Sequence, residues 1–267
     1  MRYLIVLLVC LAFSCTKKIN ESPERAFNYL TTDSVYSIYL AENRKLNLYL
    51  PLGYTETDTV TYPVLYVLDG SSHEDFLHIA GLVQFLDLYD IMPSTIVVGI
   101  ANVDRRRDFT HPSNVQSDFD LVPTGGGSKK FISFIETELQ PHISSNYKTN
   151  KYRTIIGQSL GGLLATEILL TKPNLFDDYI IVSPSLWWNG QSLVSTAAKV
   201  LLSREFKDKK VYLSIGNEGP IMQDGLNILR SAVENSQTTW FYVPFPEENH
   251  ATILHRSVYK AFELLNN

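Results

Sequence analysis

Thr154-Ile155-Ile156-Gly157-Gln158-Ser159-Leu160-Gly161-Gly162-Leu163-Leu164-Ala165-Thr166-Glu167-Ile168-Leu169-Leu170 is the stretch on which the reading of this chain turns. An apolar run typical of a buried strand meets a helix-like run across Gly157-Gln158-Ser159-Leu160-Gly161, the pattern of a nucleophile elbow. A strand that turns so sharply into a helix strains the backbone at the central serine, and flanking glycines let the two elements approach. The serine oxygen is then expected to stand over a helix N-terminus, whose first N–H groups have no intrahelical acceptor and can stabilise an oxyanion.

Working outward, residues 64–68, 95–100, 154–156, 179–182, 211–215 and 240–243 form short, nearly continuous apolar runs. Such runs are expected of strands covered on both faces. Between them, 76–88, 129–143, 160–170, 192–202, 226–233 and 253–265 predict helices, most with apolar residues at three- and four-residue spacing. Residues 35–41 and 46–50 alternate apolar and polar side chains around Glu42-Asn43 and predict an antiparallel hairpin. Strand and helix in alternation predict an α/β fold with a mostly parallel, doubly wound sheet, and ligands then bind beyond the carboxyl ends of the strands.

A serine hydroxyl needs a base, and the base an orienting carboxylate. Of the six histidines, His250 follows the last predicted strand and opens the last helix, after the serine in chain order, as the Ser-acid-His sequence of this architecture requires. Glu218, just past the strand ending at Ile215-Gly216, is the first candidate for the acid. Asp224 is held in reserve, and a Ser-His pair without an acid is the remaining arrangement. For the oxyanion, one N–H is expected from Leu160 and the other from Ser71, in the turn Asp69-Gly70-Ser71 after the first parallel strand, where Gly70 permits the turn. Arg107 lies beyond the strand 95–100, on the same edge, and is a candidate for shaping the pocket or holding an anionic group. Trp187 and Trp188 follow another strand end; adjacent side chains of an extended segment point to opposite sides, so one is expected to pack and the other to border the site. Gly125-Gly126-Gly127 lacks P-loop spacing and reads as a flexible loop, with Ser128 capping the next helix.

The chain is 267 residues long, 45% apolar, and carries a formal charge of −5. That composition fits one globular domain and argues against nucleic acid, since Lys and Arg are dispersed apart from Arg105-Arg106-Arg107 and short lysine pairs. Met1-Arg2-Tyr3 and the apolar run after it read as a secretory signal over residues 1–14. Ser14-Cys15-Thr16-Lys17-Lys18 then resembles a bacterial lipoprotein signal with Cys15 as the lipidated residue, a tether over 15–27, and a domain over 28–267. This predicts an exported protein of the cell envelope that meets the membrane only through its anchor, with an uncleaved anchor, or a secreted or periplasmic protein, as the alternatives. Cys10 would leave with the signal, so disulfides and cysteine-based zinc are not expected in the domain.

Leu50-Pro51-Leu52-Gly53-Tyr54, Tyr62-Pro63-Val64-Leu65-Tyr66-Val67-Leu68-Asp69-Gly70, Arg107-Asp108-Phe109-Thr110, Gly157-Gln158-Ser159-Leu160-Gly161-Gly162, Ser183-Pro184-Ser185-Leu186-Trp187-Trp188 and Asn249-His250 together resemble the Putative esterase family of α/β-hydrolases. That family includes siderophore, feruloyl and esterase D-like enzymes, and the Ser-Pro-Ser-Leu-Trp-Trp segment resembles its siderophore-esterase branch. The resemblance implies Ser159 as nucleophile, His250 as base and Trp187-Trp188 near the pocket; it adds little for Glu218. The expectation is therefore a serine carboxylic-ester hydrolase working through an acyl-enzyme, with no metal or organic cofactor. Its substrate is expected among siderophore, feruloyl or acetyl, and simple acyl esters, small or glycan-linked. A non-catalytic binding protein for a glycan or siderophore, or an acyltransferase using the same residues, are the alternatives. Oligomeric state is not legible.

Overall fold

The computed structural model describes residues 29–57, 59–202 and 206–266. The signal, the tether and the lipidation reading at Cys15 lie outside the described residues. Among those described, no helix is long and apolar enough to cross a membrane.

Eight strands form one sheet in the order β1-β2-β4-β3-β5-β6-β7-β8. β1 (Leu30–Ser37) and β2 (Glu42–Tyr49) are antiparallel to each other, and β2 is antiparallel to β4 (Ile96–Ile100). From β4 onward, β3 (Tyr62–Val67), β5 (Thr149–Gln158), β6 (Asp178–Val182), β7 (Lys210–Gly216) and β8 (Thr239–Phe245) run parallel. The parallel strands read as apolar runs because they are covered on both sides: all five residues of β6 are buried. One face packs against α1 (Phe76–Leu88) and α10 (Ile253–Leu265), around Val83, Tyr212 and Phe262. The other packs against α4 (Ser128–Phe134), α6 (Leu160–Thr171) and α9 (Pro220–Glu234), around Phe134, Leu164 and Leu229.

The hairpin differs from the alternation-based expectation. It starts at Leu30, its turn falls at residues 38–41, and Glu42-Asn43 belong to β2 rather than to the connection. Charged side chains hid this strand. Arg44 is fully buried in β2 and pairs with Asp108 and Glu42, and Arg107 joins them through Asp108 Oδ1 at 2.7 Å and Glu42 Oε1 at 2.7 Å.

The predicted helix 129–143 is interrupted by a π turn over Ile135–Leu139 before α5 (Gln140–Asn146). Pro141 has no N–H to continue the α-helical ladder, which accounts for the change of register. Two further short helices follow β4: α2 (Arg105–Phe109) and α3 (Gln116–Leu121). Ser128 does not cap α4: it is the first residue of the helix, Gly127 holds the capping position, and no side chain caps the N-terminus. The glycine loop before it is tied down rather than free: Gly127 N–H donates to Arg107 O at 2.8 Å.

Candidate active site

Ser159 is the first residue beyond β5, with φ 60° and ψ −119°, a conformation costly for a residue with a Cβ. Its neighbours enforce the turn. A Cβ on Gly157 would lie 2.2 Å from Gly161 O, and one on Gly162 would lie 2.9 Å from Pro184 Cα. Gly161 would meet nothing closer than 3.5 Å, so the two glycines the elbow needs are Gly157 and Gly162. Asp69 (φ 57°) and Ser183 (φ 41°) also adopt left-handed backbone, just beyond β3 and β6. Strained non-glycine residues thus stand at the carboxyl ends of three neighbouring strands.

The histidine and the acid come from the next two strand ends. Glu218, two residues past β7, accepts from His250 Nδ1 at 2.7 Å through Oε2, and its other oxygen takes the Ser183 hydroxyl and the Gly216 N–H. The Glu218 side chain is 6% exposed and that of His250 44%. Burial pushes the Glu218 carboxyl up, but the hydrogen bonds from His250 and Ser183 outweigh it and hold the group below the ordinary carboxylate range. The loop carrying the histidine is pinned from both sides. Gln158, beside Ser159, donates its amide to His250 O, and Asn217 N–H donates to Glu248 O at 2.6 Å. Asp224, the reserve acid, sits instead on the exposed side of α9, which begins at Pro220 rather than at 226.

The turn after β3 differs from expectation in its donors. Gly70 is required by crowding, since a Cβ there would lie 2.3 Å from Ile100 N. Its N–H and C=O are both engaged, by Ile100 O at 3.0 Å and Asn47 Nδ2 at 2.7 Å, so its backbone is not open to substrate. The Ser71 N–H, expected to be free for an oxyanion, donates to Glu74 Oε2 at 3.2 Å. Ser71-Ser72-His73-Glu74 has capping-box spacing, in which the glutamate reaches back to the N–H three residues earlier. Leu160, as the first residue of α6, has an N–H with no intrahelical acceptor.

Arg107 is held in the buried network with Glu42, Arg44 and Asp108, away from the elbow. Arg105 takes the position beside it: Arg105 Nη2 donates to Asp69 Oδ2 at 2.8 Å and to Gln158 O at 3.3 Å, while Asn102 Nδ2 donates to Asp69 Oδ1 at 2.7 Å. Trp188 is buried, its Nε1 donating to His111 O at 2.7 Å; Trp187 is half-buried, 6.0 Å away edge to face. Sequence reasoning passed over Asp69, Asn102, Arg105, Ser183, Ser185 and Gln158 as contributors here. Only the capping-box spacing of Ser71 and Glu74 carried a local signal for what the turn does. A cavity of about 330 Å³ lined by Thr95, Tyr152, Asp178 and Lys210 opens at the amino ends of the strands, on the opposite edge of the sheet from Ser159.

An eight-stranded, mostly parallel sheet with an antiparallel start, a strained serine after β5 and a histidine after the last strand is the α/β-hydrolase architecture. Residues 37–253 match the family model described as Putative esterase, and the chain belongs to that family. It is 34% identical over 189 residues to the ferri-bacillibactin esterase BesA of Bacillus subtilis, a match covering 65% of each chain, so it spans under two thirds of that relative's length. Among solved structures it resembles an IroE-like serine hydrolase from Shewanella oneidensis, with TM-score 0.78 and 29% identity over 89% of this chain and 80% of that one. It likewise resembles the BES protein of Bacillus cereus, with TM-score 0.78 and 27% identity over 90% of this chain and 95% of that one.

Proposed function

We propose that this protein is a serine carboxylic-ester hydrolase that works through an acyl-enzyme on Ser159. The observation that carries the reading is the Glu218 Oε2 to His250 Nδ1 hydrogen bond of 2.7 Å on the edge of the sheet that bears Ser159. A carboxylate bonded at Nδ1 fixes the tautomer that leaves Nε2 free to accept a proton. Ser159 Oγ attacks the ester carbonyl carbon, His250 takes the hydroxyl proton, and the carbonyl electron pair moves to the oxygen facing the Leu160 N–H. The Ser71 N–H joins as second donor when Glu74 releases it. The tetrahedral intermediate then expels the alcohol, protonated by His250, and water repeats the sequence to free the acid. Arg105, bridging Asp69 and the carbonyl of Gln158, holds the oxyanion turn in register with the elbow.

For the substrate, similarity to fungal relatives named siderophore triacetylfusarinine C esterase (Aspergillus fumigatus, 36% identical over 88 residues) and siderophore enterobactin esterase (Emericella nidulans, 37% identical over 79 residues) favours a siderophore ester. Comparing hydrolysis of a trilactone siderophore, a feruloyl ester and p-nitrophenyl acetate would test that class. Ser159→Ala is expected to reduce hydrolysis of p-nitrophenyl acetate by at least a thousandfold, a loss of the size seen when such a nucleophile is removed, with an unchanged circular dichroism spectrum. Retained turnover in the variant would refute the assignment.

A further inference from the structure

Ser183-Pro184-Ser185 follows β6, and its two hydroxyls reach the two halves of the site. Ser183 Oγ donates to Glu218 Oε1, whereas Ser185 Oγ lies 3.3 Å from Ser159 Oγ. Ser185 is 4% exposed, and its own N–H donates to Ser159 O at 3.0 Å, so backbone and side chain both bear on the same residue. The approach depends on the glycine at 162, where a Cβ would lie 2.9 Å from both Cα and Cβ of Pro184.

A hydroxyl has one proton to donate and two lone pairs to accept with. If Ser159 gives its proton to His250, as the proposed hydrolysis requires, the Ser159–Ser185 contact has one direction left: Ser185 donates and Ser159 Oγ accepts. That acceptor gains negative charge as its proton leaves, and a hydrogen bond to the charged form favours that form, more so in a buried setting. We propose that Ser185 is a further catalytic residue, donating a hydrogen bond to the Ser159 oxygen and easing its deprotonation during acylation. The proposal rests on Ser159 being the nucleophile. In the step itself, the Ser159 proton passes to His250 and the new bond forms between Ser159 Oγ and the acyl carbon. Ser185 keeps its own proton throughout.

The experiment measures the rate at which a fluorophosphonate labels Ser159, together with kcat and KM for p-nitrophenyl acetate, in the wild type, Ser185→Ala and Ser185→Thr. Ser185→Ala is expected to slow labelling and to lower kcat/KM, which reports acylation, roughly five- to tenfold, the change that one hydrogen bond of about 1 kcal/mol makes. Ser185→Thr, which keeps the hydroxyl, is expected to restore most of the rate. Labelling of Ser185→Ala at or above the wild-type rate overturns the proposal. Equal slowing in both variants also overturns it, since that assigns the effect to packing. A wild type that does not label at Ser159 overturns the hydrolase reading as well, so the two failures are told apart by the control.

Discussion

Arg105 and Arg107 stand two residues apart in one short helix and serve different regions of the molecule. Arg107 joins Arg44, Glu42 and Asp108 in a network whose centre is closed to solvent: the side chains of Arg44 and Asp108 are both 0% exposed. Arg105 joins Asp69 and the Gln158 carbonyl at the edge that bears the elbow; its side chain is as exposed as that of Arg107, 32% in each, so the two differ in their partners rather than in their own burial. Each residue of a helix turns about 100°, so positions two apart face nearly opposite ways, and a single charged triplet feeds both a structural lock and a site brace. The difference teaches that a charge cluster in a sequence is not one functional unit. Its members are assigned by what each side of the helix meets.

The sharpest way to break this contrast is Asp108→Ala, which removes one of the two carboxylates paired with the buried Arg44 guanidinium and leaves Glu42 as the other. It is expected to cost about 3 kcal/mol of unfolding free energy, the low end of the penalty for removing one partner of a buried ion pair, read from the denaturant midpoint. A loss below ~1 kcal/mol would mean that the network is not a lock. Arg105→Lys removes the forked contact to Asp69 and should leave the midpoint nearly unchanged while lowering kcat/KM on p-nitrophenyl acetate roughly 10- to 100-fold, as small misplacements in active sites do. If stability falls and activity does not, the two arginines have been assigned the wrong way round.

The smallest effect concerns Asp75, next to the brace. Burial, with Asp69 and Glu74 nearby, raises its carboxyl to about 6. The folded protein therefore holds this proton more tightly than the unfolded chain does, so ionising Asp75 opposes folding. That penalty grows as pH rises from about 4 to about 6 and is complete above. Asp75→Asn should raise the melting temperature by a few degrees at pH 7.5 and not at pH 4; an equal shift at both pH values would show that the charge is not responsible.

Much of the fold was legible, because covered parallel strands leave unbroken apolar runs and amphipathic helices leave a period. The bounds of α1 and α10 coincide with the spacing of their apolar residues. Where charge is buried, that logic inverts: Arg44 made a core strand look like a turn. Pro141 and Pro220 altered or began helices that periodicity alone misdraws. For the site, the sequence pointed to Ser159, Glu218 and His250 through their positions after successive strands, and the structure joins Glu218 to His250 directly. Contacts such as Arg105 with Asp69, 36 residues apart, or Ser159 with Ser185, 26 apart, leave no local pattern because they exist only once the sheet has aligned its strand ends.

The Gln158 amide bonded to the carbonyl of His250 bears on how this machinery could be transplanted. The variable position of the Gly-x-Ser-x-Gly pattern is a mechanical link to the far end of the chain, so the pentapeptide is not a self-contained module. An elbow grafted onto another sheet would arrive with Ser159 but without the fixture that holds the His250 loop. The smallest portable unit is the elbow together with the end of β7 and the loop from Glu247 to His250.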